Sequence, residues 1–166
     1  MLVRAGLAAP GDAPPVRALS GGVSSDIWRA DLARGPVCVK RALPRLRVAQ
    51  LWEAPVERNR YERLWLETAA RAVPGAAPRV LAHDDAAGLF AMECLDYPLW
   101  KNELREGRAD TAFAARVGAS LAGIHAATAG REDLARLFAT ETSSARRTGS
   151  MNSPHSRASP SLAVSR

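Results

Sequence analysis

Cysteine and lysine are the scarce residues of this 166-residue chain, with two of each set against 21 arginines. Cys38 and Cys94 lie 56 positions apart, with no C-x-x-C and no nearby histidine pair. That spacing excludes a disulfide scaffold and a zinc site, so both are expected to be small buried hydrophobes. Long apolar runs are lacking too. No stretch approaches the roughly 20 apolar residues that cross a bilayer. Gly6, Pro10, Gly11, Asp12, Pro14 and Pro15 interrupt the residues after Arg4, which leaves no signal-peptide core there. The expectation is a cytoplasmic chain with no membrane partner. Aromatics make up only 5% of the residues, and no basic stripe is interleaved with them. A net charge of +6 therefore does not mark a nucleic-acid binder. Residues 1–140 carry 19 basic and 16 acidic side chains, and the last 26 residues add four arginines against Glu141 alone.

Those last residues, 141–166, hold eight Ser, two Thr and two Pro, with only Met151, Leu162 and Val164 as sizeable apolars. Such a composition buries too little surface to offset its ordering entropy, so a disordered tail is expected. The body reads as strands first and helices later. Val16–Ser20, Ile27–Leu32 and Val37–Lys40 form a three-strand meander punctuated by Gly21-Gly22 and by Arg34-Gly35-Pro36. Val56–Ala72 places Tyr61, Leu64, Trp65, Thr68 and Ala72 at helical spacing and stops at Val73-Pro74-Gly75. Arg79–His83 and Leu89–Leu95 are two further strands. Pro98–Glu106, Thr111–Thr128 and Arg131–Ala139 read as helices, with Asp110 as the cap of the long one. Its residues Phe113, Val117, Leu121 and Ile124 make one apolar stripe.

Four segments carry chemistry. The first is the turn Gly21, Gly22, Val23, Ser24 and Ser25 between two strands, where glycines admit close approach and successive amides point at phosphate oxygens. The alternative is a plain hairpin turn. The second is Lys40, on a strand about 18 residues after that turn, in a chain that otherwise uses arginine for its cations. A strand lysine at that place holds nucleotide phosphates in kinases, while an edge lysine serving solubility is the alternative. The third is a carboxylate on the next helix. Glu67 sits between Arg63 and Arg71 as a solvated ladder, whereas Glu62 borders Leu66 and Trp65 and points nearer the sheet, which favours Glu62 over Glu57 and Glu67. The fourth is the apolar strand Leu89–Leu95, with Met92, Glu93 and Leu95 at its end, followed by Asp96-Tyr97-Pro98.

In this order, SGGVSSDIWR, GPVCVKRAL, ERNRYERLWLE, APRVLAHD, GLFAMECLD and LAGIHAATAG resemble the N-terminal part of the aminoglycoside phosphotransferase and choline-kinase-like family over about residues 16–130. The resemblance implies an α+β fold: a kinase-like N-terminal lobe with a five-stranded, mainly antiparallel sheet plus a helix, followed by the first helices of a truncated C-terminal lobe. It implies domains at 1–96 and 97–140 before the tail. It also implies that Gly21 to Ser25 cover ATP phosphates, that Lys40 pairs with Glu62, and that Met92 to Leu95 line the adenine pocket. His125 is then a packing histidine of the first long C-terminal helix. The implied ligands are ATP with Mg2+, in a weak or incomplete site, and a small hydroxylated acceptor.

That family needs D-x-x-x-x-N for phosphoryl transfer. Ala54, Tyr97 and Arg147 stand five positions before Asn59, Asn102 and Asn152, so the spacing does not occur in this sequence and no catalytic or metal residue is assigned. The expectation is a truncated, ATP-dependent small-molecule phosphotransferase, inactive alone, with a frameshift or truncated gene model behind the tail. A non-enzymatic partner-binding remnant or regulatory module is the alternative. Either way the stripe on Thr111–Thr128 is expected to face a lobe that is not here and to drive self-association.

Overall fold

The computed structural model describes residues 1–19 and 22–139; Ser20, Gly21 and residues 140–166, with the tail expected at 141–166, lie outside the described residues. Two units divide the chain, Met1–Ala129 and Gly130–Arg166. The first opens with β1 (Val16–Leu19), β2 (Ser25–Leu32) and β3 (Gly35–Ala42), the meander that the alternating pattern called for. A two-residue turn, Ala33-Arg34, joins β2 to β3 with Leu32 opposite Gly35. Gly35 closes it at φ 112°, a backbone conformation that costs a side-chain-bearing residue dearly.

Helix α1 (Arg58–Ala72) comes next, then β4 (Val80–Asp84), β5 (Leu89–Glu93), α2 (Trp100–Arg105) and α3 (Thr111–Thr128). The second unit contributes α4 (Glu132–Leu137). The sheet is fully antiparallel, in the order β1-β2-β3-β5-β4. Asp84 shapes the β4–β5 turn by accepting the Ala87 N–H at 3.1 Å, and Gly88 completes it at φ 61°. The architecture is the α+β fold expected of a kinase-like N-terminal lobe. Among the described residues no helix is long and apolar enough to cross a membrane.

Helix α1 packs on β3, β4 and β5. The contact works because small residues let the backbones approach: Ala69 and Ala91 are fully buried beside Phe90. The buried positions of α1 are Asn59, Arg63, Leu64, Leu66, Thr68 and Ala69. Trp65, placed by helical spacing on the packed stripe, is 46% exposed instead, and Leu66 takes the buried role. The expected solvated ladder around Glu67 is also corrected. Arg63 is buried, because Glu67 at 2.9 Å and Asp85 of the β4–β5 turn at 3.3 Å both receive its guanidinium.

Asp110 caps α3, accepting the Phe113 N–H at 2.9 Å. The apolar stripe along α3 is only partly covered. Ile124 is buried, with α3 resting on α1, whereas Phe113 and Leu121 are exposed and Val117 is half-buried. Phe113 instead stacks edge-on against Trp100 of α2, with ring centroids 5.2 Å apart. His125 is exposed rather than packed, standing about 100° round α3 from the buried Ile124. This placement has a measurable consequence. Ile124→Ala is expected to lower the unfolding free energy by about 2–4 kcal/mol in urea titration, and Leu121→Ala by no more than about 0.5 kcal/mol.

Candidate nucleotide site

Strand β3 alternates its side chains, so Cys38, Lys40 and Ala42 share one face. Lys40 lies opposite Ile27 on β2 and Phe90 on β5, in the middle of the sheet rather than at an edge. Its side chain is 15% exposed. An ammonium so far removed from water needs a partner, and the Nζ donates to Glu62 Oε1 across the gap between β3 and α1. Of the three carboxylates considered, Glu62 is the one in this contact; Glu67 is committed to Arg63, and Glu57 sits at the start of α1. The pair joins residues 22 positions apart and ties the helix to the sheet by charge as well as by packing.

The glycine turn enters β2 directly, with Ser25 buried as the first residue of the strand. A Cβ built on Gly22 would stand 2.8 Å from the Ser25 carbonyl oxygen, a distance that backbone atoms do not tolerate, so this position requires glycine. Val23 is exposed and Ser24 half-buried. Gly21 lies outside the described residues.

No family model matches the chain. Methylthioribose kinase of Pectobacterium carotovorum subsp. carotovorum is 38% identical over 88 residues, which make up 52% of this chain and 22% of that protein. The Pectobacterium atrosepticum methylthioribose kinase matches with the same identity and coverage. The chain thus spans 22% of the length of these curated relatives. A solved structure from Thermobifida fusca YX-ER1, assigned as a fructosamine-3-kinase, covers 75% of this chain and 38% of its own at 24% identity and a TM-score of 0.49.

Over the matched stretch of 88 residues the chain is similar to these two methylthioribose kinases. The end of the sheet is built differently from a simple apolar strand. β5 ends at Glu93, two residues short of the expected Leu95, which is 53% exposed. Arg79, just before β4, engages that last residue of the strand. Its N–H donates to Glu93 Oε2 at 3.0 Å and its guanidinium to Oε1 at 2.9 Å, while the Glu93 N–H donates to the Arg79 carbonyl at 3.0 Å. These bonds, the backbone N–H first, hold the Glu93 carboxyl below the usual carboxylate range. Met92 lies between Cys38 on β3 and Val80 on β4.

Cys94 is half-buried rather than buried, and it stands beside Cys38 of β3. Burial, followed by the hydrogen bond with Cys94, pushes the Cys38 thiol up to about 12. Since the thiolate is the nucleophile, Cys38 stays inert at any physiological pH. This neighbourhood is not legible in the sequence, because a separation of 56 residues shows contact only once β3 and β5 are known to pair. A thiol-specific disulfide reagent at about pH 8 is expected to modify one cysteine per chain quickly, and Cys94→Ser to abolish that fast phase, leaving Cys38 reactive only in denaturant.

Proposed function

We propose that this chain carries the nucleotide-binding lobe of an ATP-dependent phosphotransferase acting on a small hydroxylated molecule, with residues 1–96 as the lobe and 97–140 as the helices that follow it. The observation that supports this reading most strongly is the Lys40–Glu62 pair. A lysine in mid-sheet, with its side chain only 15% exposed and aimed by a helix carboxylate, is an expensive arrangement if only solubility is served. A phosphate group repays it. The ammonium donates to phosphate oxygens as a compact point charge, and Glu62 keeps it from swinging away. Gly22 to Ser25, with Gly21, cover the phosphates through backbone amides. Met92 to Leu95 line the adenine side. A cytoplasmic location, where ATP is plentiful, suits this reading.

ATP arrives with Mg2+. Among the described residues no three His, Cys, Asp or Glu side chains gather as a metal site, so these residues do not fit a protein-held ion and no step is routed through one. Likewise the sequence holds no D-x-x-x-x-N pair to orient an acceptor hydroxyl. The chemistry of the described lobe is binding and orientation of the nucleotide.

Isothermal titration of the chain with MgATP tests the reading. A charge-assisted hydrogen bond contributes roughly 1.5–3 kcal/mol, so Lys40→Met is expected to weaken binding by about ten- to a hundred-fold. Glu62→Gln should weaken it less, since it only aims the lysine. Equal affinity in wild type and Lys40→Met would refute the site.

A further inference from the structure

Arg58, the first residue of α1, gathers four backbone carbonyls from three separate parts of the chain. Its Nη1 donates to Ala54 at 2.9 Å and Pro55 at 3.0 Å; its Nη2 donates to Leu43 at 2.6 Å and to Ser24. Ala54 and Pro55 precede the helix, Leu43 follows β3, and Ser24 belongs to the glycine turn. The same turn is strapped a second time. Leu43 N–H donates to the Ser24 carbonyl at 3.0 Å, Arg47 N–H to the Val23 carbonyl at 2.8 Å, and the Arg47 guanidinium pairs with Asp26. The glycine turn is therefore held from the helix side, and Arg58 is the side chain that reaches from the helix to it.

Glu62 stands four residues further along the same helix, one turn on, and faces the same way. We propose that Arg58 is a positioning residue that couples the glycine turn to the Lys40–Glu62 pair, so that cover over the phosphates and alignment of the lysine form as one event. The functional meaning rests on the nucleotide reading above, while the coupling is a property of the chain itself. Arginine suits the task because its planar fork presents five donors in fixed directions. Lysine presents three on a flexible stem and serves fewer carbonyls. Glutamine, shorter and neutral, cannot span the three segments.

The test compares wild type, Arg58→Gln and Arg58→Lys in the full chain. Loss of a charge-assisted bond should raise hydrogen exchange at the Leu43 and Arg47 amides about ten-fold in Arg58→Gln. The rate of reductive methylation of Lys40 should rise with it, while the Val73 amide, bonded to Ala69 at the far end of α1, keeps its protection. Arg58→Lys should fall between the two, and it carries the test if Arg58→Gln does not fold. Unchanged Lys40 methylation, or equal loss of protection along all of α1, overturns the coupling in favour of a purely structural staple. With nucleotide, Arg58→Gln should lose about ten-fold in MgATP affinity and nothing for adenosine; equal loss for both also overturns it. If wild type binds neither ligand, the nucleotide reading fails and the coupling is judged on exchange and methylation alone.

Discussion

The pairing of Lys40 with Glu62 is the interaction on which the site depends, because it is where the sheet and the helix meet through charge. Exposed ion pairs contribute about 0–1 kcal/mol. This one differs on the lysine side, which is 15% exposed, and less on the glutamate side, which is 40% exposed. An ammonium in that position without its partner carries an uncompensated desolvation cost. The pair therefore does more to fix the position of α1 than to add stability. Apolar packing through Ala69, Leu64 and Phe90 brings the helix close to the sheet, and the charge pair selects its rotation and height.

Helix α1 is consequently the organiser of the lobe. Its first residue binds the glycine turn, the next turn supplies Glu62, and its buried flank holds Asn59 and Arg63 against the β4–β5 turn, where Asn59 donates to the Gly88 carbonyl at 2.7 Å. A shift of the helix would disturb all of these contacts together. The resemblance to methylthioribose kinases concerns a stretch that makes up 22% of those proteins.

Local chemistry was legible in the sequence wherever it was decided locally. The alternation in Ile27–Leu32, the Asp110 cap and the Pro74-Gly75 stop placed β2, α3 and the end of α1 within a residue or two of the structure. Glu62 was separable from Glu67 because its upper neighbours are apolar. What remained hidden depended on partners far along the chain. Arg63 is buried because Asp85, 22 residues away, meets it. Ile124 is buried because α3 rests on α1, which helical periodicity alone does not say. Nothing in the sequence singles out Arg58, since the carbonyls it serves carry no side-chain signature.

A double-mutant cycle on MgATP affinity tests the central claim most directly, using Lys40→Met, Glu62→Gln and the double variant. If Glu62 acts only by aiming the lysine, removing it after Lys40 is gone should change nothing, and the coupling energy should equal the whole effect of Glu62→Gln. Independent, additive losses would contradict the account, because Glu62 would then be acting on the nucleotide by some other route.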